Sequence, residues 1–293
     1  MTHVKKRRKP VSSRIFDIVV YILLFLVAMV TIVPFLQVVT ISLSPPEVVA
    51  SYGLHLIPTK IDLEGYRSIF KYKLLWTSYR NTIVRTLFGT ALSMFLYVIA
   101  AYPLSKKYLP NRRFWIFFII FTMYFSGGMI PNYLLINNWL KLSNTIWALI
   151  LPPAMSAYNL IIVRNFFESI PDSLEESARI DGARETTVLF RIVVPLSKPV
   201  LATVALWCMV SHWNAWYDCM LYIRDDAKYV LQYTLQRILL DGQVQDLDNI
   251  GAKVNTETMK MASIVVSILP IMVVYPFVQK YFAKGVMVGS IKG

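Results

Sequence analysis

Long apolar runs alternate with short polar stretches along almost the whole chain. Six runs are apolar and long enough to cross a bilayer, which takes roughly 20 helical residues. They are Ile15–Leu43, Asn81–Leu104, Phe114–Asn138, Asn144–Val163, Val200–Tyr222 and Met261–Phe282. The pattern predicts an all-α membrane protein with six transmembrane helices: a tail at 1–14, then a single transmembrane domain over 15–293. The first run exceeds the roughly 7–15 residues of a signal-peptide core and carries no small-x-small cleavage site, so it is expected to stay as an anchor. Several runs contain breakers: Pro34, Gly127-Gly128 with Pro131, Pro152-Pro153, Pro270 and Pro276. Proline removes a backbone donor and kinks a helix, and in lipid the freed groups need neighbouring helices or water in a cavity. Together the breakers favour a bundle around an internal pathway.

Two connections carry weaker patterns. Leu63–Phe70 could lie along the membrane surface, and Tyr229–Leu240 has an approximate helical stripe before the acidic stretch Asp241–Asp248. Hydrophobic residues make up 56% of 293 positions and charged ones only 16%, which excludes an ordinary soluble domain.

The net charge of +13 raises the question of nucleic acid, and its distribution answers it. Lys5 to Lys9 and Arg14 precede the first run, Lys106, Lys107, Arg112 and Arg113 fill the second connection, and Lys280, Lys284 and Lys292 follow the last run. With alternating helices all of these fall on one side, and the positive-inside rule places both termini in the cytoplasm. Anionic headgroups account for the basic tail, and no nucleic-acid partner is expected. Cys208 and Cys219 read as small packing residues rather than a disulfide or metal pair.

One charged segment stands between two apolar runs, over 166–198. Pro171 to Gly182 reads as a short helix with Ser173 and Glu176 as a capping box. Gly182 is its left-handed stop. Ala183 to Val194 restarts as a helix with Val188, Leu189, Ile192 and Val193 grouped, and Pro195 ends it. A short rigid helix tied to a membrane span can transmit a rigid-body push; the plainer alternative is a solvated amphipathic linker.

The triplet Glu176-Ser177-Ala178, followed by Gly182, Ile192 and Pro195, resembles the signature loop of binding-protein-dependent ABC importer permeases. Ser177 departs from the family's middle Ala but is small enough to keep its close approach. Ile180, Asp181 and Ala183, with Phe277–Gly285 and Gly289–Gly293, look like the carbohydrate branch. Phe125-Ser-Gly-Gly-Met-Ile-Pro-Asn-Tyr133 and Asn144–Pro152 resemble its subgroup for large or acidic oligosaccharides, which includes alginate and pectin-fragment importers. The resemblance implies a coupling role toward an ATPase for Glu175, Glu176, Ser177, Ala178, Arg179, Asp181, Gly182 and Ala183. It also implies the partners: a second homologous permease, two cytoplasmic ATPase subunits, an extracytoplasmic solute-binding protein and an oligosaccharide. The location it implies is the bacterial inner membrane. ATP and magnesium then belong to the ATPases, and this chain binds no cofactor; it contains no G-x-x-x-x-G-K-[ST].

Polar and aromatic residues within the spans are the candidates for a substrate path. Trp213, Asn214, Trp216, Tyr217 and Asp218 cluster near one end of the fifth run, with Tyr124, Asn132 and Tyr133 in the third. A ring face stacks on a sugar's C–H face and an amide binds hydroxyls; the alternative is an interfacial aromatic belt. Arg85 is expected to snorkel outward, with a path role if the substrate is anionic. The rival from another class is an ion-gradient-driven secondary transporter, which requires a buried carboxylate or broken-helix ion site. A membrane enzyme would need a catalytic constellation that no motif here supplies.

Overall fold

The computed structural model describes residues 11–49, 53–54, 56–240 and 257–273, and among them there is no strand. The chain forms two compact units, Met1–Lys71 with Val244–Val266 and Tyr72–Gln243 with Ser267–Gly293. The basic residues at 5–9, the stretch Asp241–Asp248, Pro276, Lys280, Lys284, Lys292 and the family-like ending from 277 onward lie outside the described residues.

In the first unit, α1 spans Val11–Ser42 and runs through Pro34 without ending there. Its apolar window, within Ile15–Ser42, has no buried residue. A helix that is apolar all round suits lipid or a partner helix rather than water. α2 (Pro46–Val49) and α3 (Glu64–Lys71) follow. α3 realises the surface pattern read from Leu63–Phe70. The Tyr66 and Ser42 hydroxyls are hydrogen-bonded at 2.7 Å, and Asp62 N–H donates to the Leu43 carbonyl at 2.7 Å.

The second unit begins with α4 (Lys73–Ser105), which starts eight residues earlier than its apolar run. This helix is inside-out. Ser78, Thr82, Arg85, Gly89, Ser93, Tyr97 and Ala101 recur at helical spacing on its buried face, while Ile83, Leu87, Phe88, Phe95 and Ile99 are exposed. Small and hydroxyl side chains let membrane helices approach closely, and the apolar side is left for lipid.

The third run breaks at its glycines. α5 (Arg112–Tyr124) and α6 (Met129–Leu134), the latter continued by a π-helical turn Leu135–Trp139, meet at 106°. Gly128 takes φ +85°, which only glycine adopts readily. The fourth run bends by 49° at its prolines, between α7 (Trp147–Ile150) with its 3₁₀ turn Pro152–Ala154 and α8 (Ala157–Glu168).

Beyond it come α9 (Asp172–Ile180), α10 (Glu185–Val188), a π-turn Leu189–Val193 and α11 (Val194–Leu196). The helical stretch 185–196 bends by 81° into α12 (Lys198–Asn214). The fifth run then breaks at Ala215-Trp216, where there is no Pro or Gly, and resumes as α13 (Tyr217–Tyr222). A 3₁₀ turn, Asp226–Lys228, leads to α14 (Leu231–Leu240), which confirms the stripe read there. α15 covers 257–273 and passes Pro270 unbroken.

Two helices are long and apolar enough to cross a membrane, and three bent pairs raise the total to five among the described residues. The main core joins Tyr97, Ala101 and Tyr102 of α4 to Val163 and Phe167 of α8, Val188 and Val193 beside α10, and Val204 and Cys208 of α12. The segment expected to couple to an ATPase is thus packed directly against three spans.

Candidate functional site

α9 begins at Asp172 with Pro171 in the cap position and no side-chain cap. The capping box read from Ser173 and Glu176 does not form, because Ser173 lies inside the first turn. Ser177 instead donates to the Ser173 carbonyl at 2.9 Å. The other end behaves as read. Gly182 has φ +81°, its N–H donates to the Arg179 carbonyl at 3.0 Å, and Ala183 N–H donates to Ala178 O at 2.9 Å. These two bonds are a Schellman cap, with the glycine supplying the left-handed residue.

The eight residues expected to couple divide into two groups. Glu176, Ser177, Asp181 and Gly182 are exposed, in the company of Leu174 and Ile180, the latter 86% exposed. An apolar side chain is thus held out beside the carboxylates of Glu176 and Asp181. Ala178, Arg179 and Ala183 are half-buried, and Glu175 is buried.

Glu175 forms an ion pair with Lys106, itself buried at the end of α4, and Arg179 approaches the same carboxylate at 3.4 Å. The Lys106 ammonium lies 4.5 Å from the centre of the Tyr102 ring. Glu185 receives Tyr102 Oη at 2.5 Å and Arg179 Nε at 3.0 Å, and Arg179 Nη2 donates to Tyr108 Oη at 3.3 Å. Burial alone would raise the Glu185 carboxyl, but the Tyr102 and Arg179 hydrogen bonds outweigh it and hold the group below its ordinary 4.5. The same bond raises Arg179, and burial followed by the charge of Glu185 raises Tyr108. Lys107 pairs with Asp172 at 3.1 Å on the surface. Tyr102, Lys106, Tyr108 and Glu185 were not foreseen. Lys106 carried a signal, but as a topology-setting charge rather than a partner of Glu175.

At the other end of α4, the break in the fifth run leaves the Ala215 carbonyl without a helical donor. Arg85 supplies one at 3.1 Å and forms an ion pair with Asp218, whose Oδ1 also accepts Cys219 N–H at 2.9 Å. Arg85 is 1% exposed, so the expected outward snorkel is wrong: the carbonyl and carboxylate of the broken helix offer it better partners inside. The α4 face is otherwise well tied here. Ser78 and Thr234 hydroxyls meet at 2.7 Å, Leu231 N–H donates to Thr82 at 2.8 Å, and Asn81 Nδ2 donates to the Ala227 and Tyr229 carbonyls, each at 2.9 Å. A Cβ on Gly89 would sit 2.5 Å from the His212 ring, so the glycine is what lets α12 approach.

Among the path candidates, the structure brings Arg85 and Asp218 together as one pair. Tyr217, exposed, donates to Met129 Sδ at 2.9 Å and so joins the break in the fifth run to the break in the third. Asn214, Tyr124 and Asn132 are exposed; Trp216 is half-buried. Tyr133 stacks on Tyr222 at 6.0 Å, and Trp213 is buried edge-on to Tyr79.

Known proteins resemble this chain in sequence and in fold. The polygalacturonan/rhamnogalacturonan transport system permease YtcP of Bacillus subtilis is 43% identical over 286 residues, covering 96% of this chain and all of YtcP. LplC of the same organism is 42% identical over 285 residues, 96% of each chain. A crystal structure of a bacterial ABC transporter that imports the acidic polysaccharide alginate contains a chain of the same fold. Its TM-score is 0.89 at 38% identity, over 94% of this chain and all of that one. The ion-gradient alternative is set aside by these relatives. Residues 2–288 match the binding-protein-dependent transport system inner membrane component, and this chain belongs to that family of importer permeases.

Proposed function

We propose that this chain is one of two permease subunits of a bacterial ABC importer that carries uronate-containing oligosaccharides across the cytoplasmic membrane. Its partners are a second, homologous permease, two cytoplasmic ATPases that hold ATP and magnesium, and an extracytoplasmic binding protein that delivers the sugar. Six spans with both termini in the cytoplasm form a single transmembrane domain. The observation that carries the substrate class is the end-to-end likeness to a permease named for polygalacturonan and to an alginate importer.

The geometry supports a division of labour. The exposed face of α9, with Glu176, Asp181 and Ile180, receives the ATPase. Glu175 and Arg179 pass the displacement inward to Lys106 and Tyr102, and so to α4. Some 25 residues along that helix, roughly 37 Å at 1.5 Å per residue, lies the end that meets the sugar. Tyr217, Asn214, Tyr124 and Asn132 offer exposed ring and amide groups for its path.

The test is ATPase activity of the reconstituted complex. Binding protein loaded with oligogalacturonate or alginate oligomers should stimulate it, and Gly182→Pro or Glu176→Lys should abolish ATPase co-purification and uptake while leaving membrane insertion intact. Normal uptake with either change would remove the coupling role from α9.

A further inference from the structure

A cavity of about 370 Å³ opens beside the first turns of α4, lined by Asn81, Asn144, Thr145, Ile146, Trp147 and Lys228. Asn81 stands one helical turn from Arg85 on the side away from Lys106. The cavity therefore lies at the end of the unit opposite the coupling face. Its size falls low in the roughly 300–1,000 Å³ range of small-molecule sites, room for a short sugar segment rather than a long chain.

Each polar lining group is fixed by one or two contacts and keeps bonding capacity among the described residues. Asn81 Nδ2 is committed to two carbonyls at 2.9 Å, which leaves Oδ1 as an acceptor. Asn144 Oδ1 accepts Arg224 and Asp225 N–H at 3.2 Å, which leaves Nδ2 as a donor. Thr145 donates to Leu142 O at 2.6 Å and keeps its lone pairs. Lys228 donates to the Asn144 carbonyl at 3.0 Å and stands 3.7 Å from Asp225, so ammonium hydrogens remain for another acceptor. The Trp147 side chain, half-exposed, completes the wall.

Anchored side chains with a free second valency are pre-organised, which lowers the ordering cost of binding. Alternating donors and acceptors beside an indole suit a pyranose, and an ammonium adds preference for a carboxylate. From this we infer that the cavity is a uronate subsite at the sugar-entry end of the permease, with Lys228 reading the carboxylate and Trp147 stacking on the ring. This rests on the proposed uronate substrate.

The experiment is uptake by the full complex in proteoliposomes, with saturating loaded binding protein. Oligogalacturonate is compared with its neutral methyl ester. Lys228→Gln should lower uptake of the acid roughly 10-fold, the scale of one lost charge-assisted hydrogen bond, and leave the ester unchanged. Trp147→Ala should lower both, and Trp147→Phe should restore both. Equal loss for acid and ester in Lys228→Gln, or no loss, overturns the subsite. So does a weakened docking of sugar-free binding protein, which would assign the cavity to an acidic side chain of that protein. If the unaltered complex carries the ester but no acid, the substrate reading itself fails and takes the subsite with it. Acid uptake that Lys228→Gln leaves intact removes only the subsite.

Discussion

Helix α4 is held by two ion pairs, one at its C-terminal end and one about three turns in from its start, that differ in almost everything except their charge. At the coupling end, Lys106–Glu175 is embedded in further contacts: Arg179 shares the carboxylate, the Tyr102 ring lies under the ammonium, and Glu185 ties Tyr102 to Arg179. At the other end Arg85 grips a broken helix, yet its Nε has no partner among the described residues. Neither do the buried hydroxyls of Thr86, Thr90 and Ser93 along the same face. Buried polar groups normally find partners, so this face has capacity for bonds it does not make here. One end is built to stay as it is and move as a block. The other has spare donors, which the proposed translocation would use as α4 and α12 exchange partners.

The sharpest way to break that contrast is to remove one charge from the coupling end. Glu175→Ala leaves Lys106 buried without its main counter-ion, a loss of about 3–5 kcal/mol. Uptake should disappear and thermal stability of the purified complex should fall markedly. Replacing both partners with methionine should recover most of the stability, since an apolar pair of similar volume is often neutral. If stability recovers without uptake, the pair itself transmits the displacement; if Glu175→Ala is as stable as the parent, the end is not rigid in the sense argued.

Asp218→Asn tests the other end, and its effect should be smaller. The amide keeps an acceptor for Arg85, which retains the Ala215 carbonyl, and the Asp218 side chain is 24% exposed, so water can reach it. The loss expected is that of one charge-assisted bond, about 1.5–3 kcal/mol. Folding and ATPase association should survive while the rate of uptake changes. A collapse as complete as that of Glu175→Ala would show that the two ends are built alike.

What the sequence disclosed follows from the range of each signal. The breaks at Gly127-Gly128 and Pro152-Pro153 and the left-handed Gly182 are local, and each appeared where it was read; the first five apolar runs overlap a long helix or a bent pair among the described residues. The motif around Glu176 pointed to the segment proposed for coupling, but not to the division between its outward and inward residues. Glu175 and Lys106 are 69 positions apart, and Arg85 and Asp218 are 133 apart, distances no periodicity spans. The break at Ala215 has no breaker residue at all; it stands because Arg85, from another helix, satisfies the exposed carbonyl. Pro34 shows the converse, a breaker inside a helix that continues through it. The misread cap at Ser173 was a local error: the proline before Asp172 had already taken the cap position.

The smallest expected effect concerns how firmly the coupling end is closed as pH falls. The Glu185 carboxyl is held below its ordinary 4.5 by Tyr102 and Arg179 against the opposing effect of burial. A depressed carboxylate stabilises the folded loop above its unfolded value and loses that contribution as pH drops through the lower, folded one. Between pH 7 and 5 the loop should therefore be unchanged, and below about 4.5 it should loosen. Hydrogen-exchange protection over residues 172–188, corrected for intrinsic rates, measures this directly. Protection should fall modestly on the acid side, because Glu185 is largely exposed and water screens its ion pair. Glu185→Gln should begin partly loosened at neutral pH and show a flatter acid response, since Arg179 has then lost that charge throughout. An acid response as steep in Glu185→Gln as in the parent would place the sensitive group elsewhere.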